Sequence, residues 1–260
     1  MLHHEISGNG KKPLVLLHGF MENTTIWDEM EAHLSKDFTL IKIDLPGHGK
    51  SKVYQEIHTV ELMAEKVKEV IDALKLEKIN LLGHSLGGYV SLAFAEKFPE
   101  ILESMTLFFS TTLADDDEKK QIRRRSIAVI DENFETFVKT SIPNLFSNNE
   151  KDILEGKIEL AKNIAKSTNK EGVKAAQLGM AERPDRTEIL ENLDAKILII
   201  AGKYDNAVKT ENLLKIIPEK TNIKTYVLDC GHNGHWEKPT ICAEIINTEL
   251  LHNLPKHFLL

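Results

Sequence analysis

The chain has 260 residues, with 33 Lys plus Arg against 40 Asp plus Glu, a net charge of −7 with His neutral. Hydrophobic residues at 42% and charged ones at 28% are globular proportions, which exclude a disordered chain, a collagen-like repeat and a coiled coil. The acidic balance argues against a nucleic-acid partner, because no basic face compensates a phosphate backbone. The longest apolar runs, 105–109 and 197–201, fall far short of the roughly 20 residues that span a bilayer. Residues 1–10 (MLHHEISGNG) show no basic start, apolar stretch or cleavage site, and Cys230 and Cys242 make no disulfide scaffold. The expected compartment is therefore the cytoplasm.

In chain order, short apolar runs alternate with helical patterns. Residues 12–18 (KPLVLLH) and 38–44 (FTLIKID) read as buried strands. Residues 59–76 place Val60, Met63, Ala64, Val67, Val70, Ile71 and Leu74 on one face, the spacing of an amphipathic helix. A strand at 78–82, a helix at 86–98 and a strand at 104–110 follow, then strands at 196–202 and 222–229 and a helix at 239–251. Near-continuous Ile, Leu and Val bounded by Gly, Pro, Asp or His is what parallel strands covered on both faces require. The fold class is thus α/β, a mostly parallel central sheet with helices on both faces.

One stretch breaks the alternation. Residues 113–192 carry no convincing strand, open on Asp115-Asp116-Asp117-Glu118-Lys119-Lys120 and contain Arg123-Arg124-Arg125. The charges fit a solvated helix start, acids at its N-terminus and bases further on, better than a docking surface. The segment reads as a helical cap, 113–193, inserted between two parts of one core, 1–112 and 194–260.

The strongest chemical signal is Gly83-His84-Ser85-Leu86-Gly87-Gly88. It contains G-x-S-x-G between a strand and a helix, the setting of a nucleophile elbow. Ser85 would stand in a strained turn, and the Leu86 amide at the helix start would donate to an oxyanion. Without G-x-x-x-x-G-K-[ST] or G-x-G-x-x-G, a phosphate loop is a weaker reading. A serine needs a base, and His232 and His235 both follow the last strand. Position favours His232, since His235 lies nearer the helix start. The two His as H-x-x-H metal ligands, with no nearby carboxylate or Cys in sequence, are weak evidence for a metal; neither metal nor cofactor is expected. Asp205, directly after the strand 196–202, gives the chain order Ser, Asp, His, although Asp205-Asn206 also fits a plain turn. Asp115–Asp117 are rival acids. Gly19 would let the Phe20 N–H face the nucleophile, with His18 a structural hydrogen bonder and Trp27 a packing residue. The loop Asp44-Leu45-Pro46-Gly47-His48-Gly49-Lys50-Ser51 reads first as a tight turn. His3, His4, His33, His252 and His257 lie in polar or terminal contexts.

These pieces together resemble the α/β-hydrolase fold superfamily. They are His18-Gly19-Phe20, the Asp44–Ser51 loop, Gly83–Gly88, Gly202-Lys203-Tyr204-Asp205, and Gly231-His232 with Glu237-Lys238-Pro239. The resemblance implies a triad of Ser85, Asp205 and His232, with Phe20 and Leu86 as oxyanion donors. Its G-H-x-x-x-x-E-x-P pattern assigns the base to His232, and its cap would cover the pocket and set substrate choice. Small capped carboxylesterases and lactonases are the most similar in character. A menaquinone-pathway lyase that eliminates pyruvate shares the start His18-Gly19-Phe20-Met21, but carries an Arg where this chain has Tyr89. Haloalkane dehalogenases share the layout and need an acid at Ser85. The expected function is hydrolysis of a small carboxylic ester or lactone, with the lyase as the alternative. A binding module with an unused triad is disfavoured by the triad's completeness.

Overall fold

Strand formation here follows from runs that are apolar on both faces. Leu14 to Leu17, Ile79 to Leu82 and Ile197 to Ile200 are buried without interruption, so neither face of the sheet meets water. The structure, a computed structural model, describes residues 1–34 and 36–251. His252, His257 and the rest of the expected core beyond Leu251 lie outside the described residues.

The first half of the chain runs β1 (His4–Ser7), β2 (Lys12–Leu17), α1 (Asp28–Leu34), β3 (Phe38–Ile43), α2 (Val60–Ala73), β4 (Ile79–His84), α3 (Leu86–Lys97) and β5 (Leu102–Phe108). Next come α4 (Asp117–Ser141), α5 (Glu155–Ser167), α6 (Lys170–Glu182) and α7 (Glu188–Asn192). The chain then returns through β6 (Lys196–Gly202), α8 (Thr210–Leu214), β7 (Ile223–Leu228), α9 (Gly234–Glu237) and α10 (Pro239–Leu251). The sheet has seven strands in the order β1-β3-β2-β4-β5-β6-β7. Only β1 runs antiparallel, pairing His4 with Ile43. This edge strand is absent from the sequence reading, because HEIS is short and polar.

Side-chain alternation splits the strands between two cores. Val15, Leu17, Leu81, Met105 and Ile199 pack with α2 and α3 on one face. Leu14, Leu16, Leu82, Leu198 and Ile200 pack with α1 and α10 on the other. The parallel registers align Leu17 with Gly83, His84 with Phe108 and Gly202 with Leu228. The segments after β2, β4, β6 and β7 therefore leave the sheet at one edge, where an open α/β sheet places its site.

The segment between β5 and β6 is helical throughout its described secondary structure, as expected, and α4 is kinked at Asn133 (φ −153°, ψ 86°). It is seated by backbone contact. Gly47 has φ +75°, and a Cβ on Gly172 of α6 would run into the Gly47 backbone. One turn on, the His58 N–H donates to the Ala175 carbonyl at 3.0 Å. Small residues on α6 thus let the insertion touch the core main chain to main chain. No described helix is long and apolar enough to cross a membrane.

Candidate active site

Ser85 links β4 to α3 with φ 49° and ψ −109°. A non-glycine residue there stores about 1–3 kcal/mol of strain. Its neighbours hold the turn: the Ser85 N–H donates to Phe108 O at 3.0 Å, and Ser110 Oγ donates to Ser85 O at 2.8 Å. A Cβ on Gly83 would strike the Gly87 backbone, and one on Gly87 would strike Leu17 O, so G-x-S-x-G is a packing requirement here. Leu86 opens α3, and a helix's first amides have no intrahelical acceptor.

His232 follows β7, and its N–H donates to Leu145 O at 2.8 Å, which ties it to the helical insertion. Its ring Nδ1 lies 2.7 Å from Asp205 Oδ2, and both side chains are buried. An ionised carboxylate only accepts, so Nδ1 carries the hydrogen and Nε2 is left as the acceptor, the tautomer a general base requires. Asp205 is fixed in turn: its Oδ1 accepts the Ala207 and Val208 N–H groups, each at 2.8 Å. Asp205 thus closes a turn through one carboxylate oxygen and meets the His232 ring with the other.

His235 takes a different place. It is fully buried at the start of α9, its ring 4.6 Å from that of His84 and 6.0 Å from that of Trp27. Neither ring nitrogen has a hydrogen-bond partner, and burial, with His84 beside it, keeps it neutral far below the usual histidine range. The sequence rivalry between the two histidines thus separates a cavity-lining ring from a core ring.

On the opposite wall, the loop after β2 carries Phe20. His18 accepts the Leu45 N–H on Nε2 at 2.9 Å and donates from Nδ1 to Gly19 O at 2.7 Å, the structural role expected of it. Trp27 is fully buried, as a packing residue. Asp44 accepts the amides of Thr24 and Lys50 at 2.9 Å each, which explains the tight turn. Glu22 went unnoticed in the sequence, because no motif marks it. Its Oε2 accepts the Gly19 N–H at 2.5 Å and meets His84 Nδ1 at 2.8 Å. Burial pushes its carboxyl up, but the charge on His84 outweighs this and holds it at about 2.

Ser85 and His232 open into one cavity of about 830 Å³, which Phe20 and Tyr89 also line. The insertion supplies Ile122, Phe137, Leu145 and Met180 to its wall. It also supplies charge, and here the sequence reading needs correcting. Asp115 is buried and not part of a solvated run. It pairs with Arg183 at 2.9 Å and Arg123 at 2.5 Å. Burial raises its pKa, yet the two guanidinium groups bring it down to about 2. Arg123 is half-buried and lines the cavity, whereas Arg124 and Arg125 are exposed as expected. Arg183 is buried, with its guanidinium carbon 3.9 Å from the Tyr89 ring centroid.

Among the described residues, one group of acids and histidines converges closely enough to hold a cation: Glu22, His84 and His235, with donor atoms within 4.8 Å of one another. His232, the other half of the H-x-x-H pair, is outside it. In a tetrahedral zinc site, bonds of about 2.0–2.1 Å hold donor atoms about 3.3 Å apart. The 2.8 Å between Glu22 and His84 is the spacing of a shared proton.

A model of the alpha/beta hydrolase fold matches residues 12–239. A thermophilic esterase from Thermogutta terrifontis, solved with malate bound, superposes with a TM-score of 0.91 at 32% identity, over 96% of this chain and 93% of that one. A putative 2-succinyl-6-hydroxy-2,4-cyclohexadiene-1-carboxylate synthase of Bacillus subtilis is 29% identical over 257 residues, 92% of this chain and 90% of that protein. An uncharacterized protein of Mycobacterium tuberculosis is 35% identical over 102 residues, 39% of this chain, and the match spans only 30% of that protein's length. With the family model spanning most of the sequence and the esterase aligned almost end to end, the chain belongs to the alpha/beta hydrolase fold family.

Proposed function

We propose that the protein is a serine hydrolase that cleaves a small carboxylic ester or lactone through an acyl-enzyme. Ser85 attacks the carbonyl, His232 takes its proton and later returns it to the leaving alcohol, and Asp205 holds the imidazole in place and stabilises its cation. The Phe20 and Leu86 amides receive the oxyanion. A water activated by His232 then releases the acid. The observation that carries the reading is the buried 2.7 Å bond from His232 to Asp205, with His232 and the strained Ser85 lining one cavity. Residues 113–193 serve as a cap whose apolar wall selects the acyl or alcohol group. Asp115 engages both Arg123 and Arg183 and offsets one of their two charges, which leaves neither guanidinium free for an anionic substrate.

A fluorophosphonate should label Ser85, and p-nitrophenyl esters of increasing chain length should show a short-chain optimum. Labelling of another serine, or silence toward every ester and lactone, counts against the reading.

A pyruvate-eliminating lyase is the second reading. It draws on the cation that Arg183 brings over Tyr89, at the elbow position where the sequence alone offers none. The Bacillus subtilis relative, named as a putative synthase, leans the same way. Such an enzyme needs unpaired cations for a multiply carboxylated substrate, whereas both guanidinium groups here are engaged by Asp115. Efficient pyruvate release from such a substrate, with no ester turnover, would favour the lyase.

A further inference from the structure

Glu22 and His84 have no part in the chemistry just described, yet they lie buried at the centre of it. Every hydrogen-bond contact of the His84 ring is an acceptor. Its Nδ1 meets the Glu22 carboxylate at 2.8 Å, and its Nε2 meets the main-chain carbonyl of His232 at 3.1 Å. A carbonyl oxygen only accepts, and so does an ionised carboxylate, so both nitrogens must carry hydrogen and the ring is an imidazolium. Glu22 also accepts the N–H of Gly19, the residue before Phe20, at 2.5 Å, and its other oxygen lies 3.9 Å from His235 Nε2.

One chain of hydrogen bonds therefore runs from the loop bearing Phe20, through the elbow residue next to Ser85, to the backbone of His232. We propose that Glu22 and His84 form a buried carboxylate–imidazolium pair that positions the base loop and the oxyanion loop relative to the nucleophile. The proposal rests on the hydrolase reading, for which Phe20 and His232 matter. Glu22 and His84 are positioning residues, since they act through Gly19 and His232.

The charges around the pair fit this state. Burial lowers the pKa of His84, but Glu22 overcomes it and the net shift is upward. The other titratable groups facing it are His18 from the end of β2, Asp205 after β6, and His232 and His235 from the loop and helix after β7. His18 and His235 are shifted toward neutrality, so His84 is the buried cation beneath the elbow. Its ring also packs beside that of His232, with centroids 5.0 Å apart.

The test pairs a spectroscopic readout with kinetics on p-nitrophenyl butyrate. In ¹⁵N-histidine-labelled wild-type protein, His84 should hold the imidazolium signature at about pH 8, where an ordinary imidazole with its pKa near 6.5 is neutral. Glu22→Gln should lose that signature. The variant's kcat should fall about 10- to 100-fold through misplacement of the reacting groups, with KM within about twofold. A Glu22→Gln variant that only melts earlier, with native kcat and KM, would reduce the pair to a structural role and overturn the proposal. A neutral His84 in the wild type would overturn it whatever the esterase activity. Inactivation by EDTA with recovery on adding zinc would replace the shared proton with a metal. Absence of ester turnover with the imidazolium intact would sink the hydrolase reading and, with it, the catalytic purpose of the pair.

Discussion

The edge of the sheet and the helical insertion above it are built by different means. At the edge, each group that matters is fixed by main-chain bonds and close packing: Ser85 by Phe108 O and Ser110, Asp205 by two amides, His232 by Leu145 O. The insertion is attached by a few small residues on α6 and by Arg186, which pairs with Glu61 and Glu96 of the core, and it is braced internally by charges meeting at Asp115. Substitutions at the edge should therefore abolish chemistry at nearly constant stability, while substitutions in the insertion should shift selectivity and stability by smaller amounts.

The largest effect expected is Ser85→Ala. It should lower kcat by about 10⁴–10⁶-fold and raise stability slightly or leave it unchanged, since alanine at φ 49° keeps the strain but loses no buried bond. Steady-state rates and a melting curve check both halves; near-native turnover would dismiss Ser85 as the nucleophile. His232→Ala should match that loss in kcat. His235→Ala should do the opposite, reducing stability by about 2–4 kcal/mol through the cavity left among Trp27, His84 and Trp236, with far less effect on kcat. A reversed order of rates would move the base to His235.

Next in size is the seat of the insertion. A side chain at Gly172 must displace the Gly47 backbone, so Gly172→Val should cost about 1–3 kcal/mol. Because α6 bears Met180 on the cavity wall, the same change should raise KM for longer esters more than it lowers kcat for acetate. Equal losses across chain lengths would mean that the insertion's placement does not select substrate.

How much of this was legible in the sequence follows the same division. The β and α runs, the elbow, Asp205 and His232 were readable because each depends on local pattern: continuous Ile and Leu, glycines that a Cβ would break, a loop directly after a strand. Glu22 was invisible because its partners, Gly19 and His84, are joined only by the sheet's register, and His84 is 62 residues away. Asp115 was misread for a related reason. Three acids before a helix look solvated, and only the return of Arg183, 68 residues later, buries the first of them. β1 was missed because a four-residue edge strand paired on one side needs no apolar signature.

The smallest predicted effect concerns that buried acid. Asp115 has its carboxyl lowered to about 2 from an ordinary 3.8. A depressed carboxyl contributes stability above its unfolded pKa and loses it as the pH falls through the folded value, so the contribution is complete near neutrality and fades between about pH 4 and pH 2. Asp115→Asn should thus cost on the order of 2 kcal/mol at pH 7, and the gap to wild type should close as both are taken toward pH 2. The substitution also leaves Arg123 and Arg183 without their counter-charge beside the cavity. An anionic ester such as a p-nitrophenyl hemisuccinate should then gain several-fold in kcat/KM relative to the neutral butyrate, an effect of about 1 kcal/mol, and the gain should shrink at high salt as the exposed part of the field is screened. If the ratio of the two substrates stays at its wild-type value while stability falls as expected, Asp115 braces the insertion internally without tuning what enters. If the ratio moves and the stability does not, the charge is held for selection, and the insertion is held by other contacts, among them Arg186 with Glu61 and Glu96 of the core.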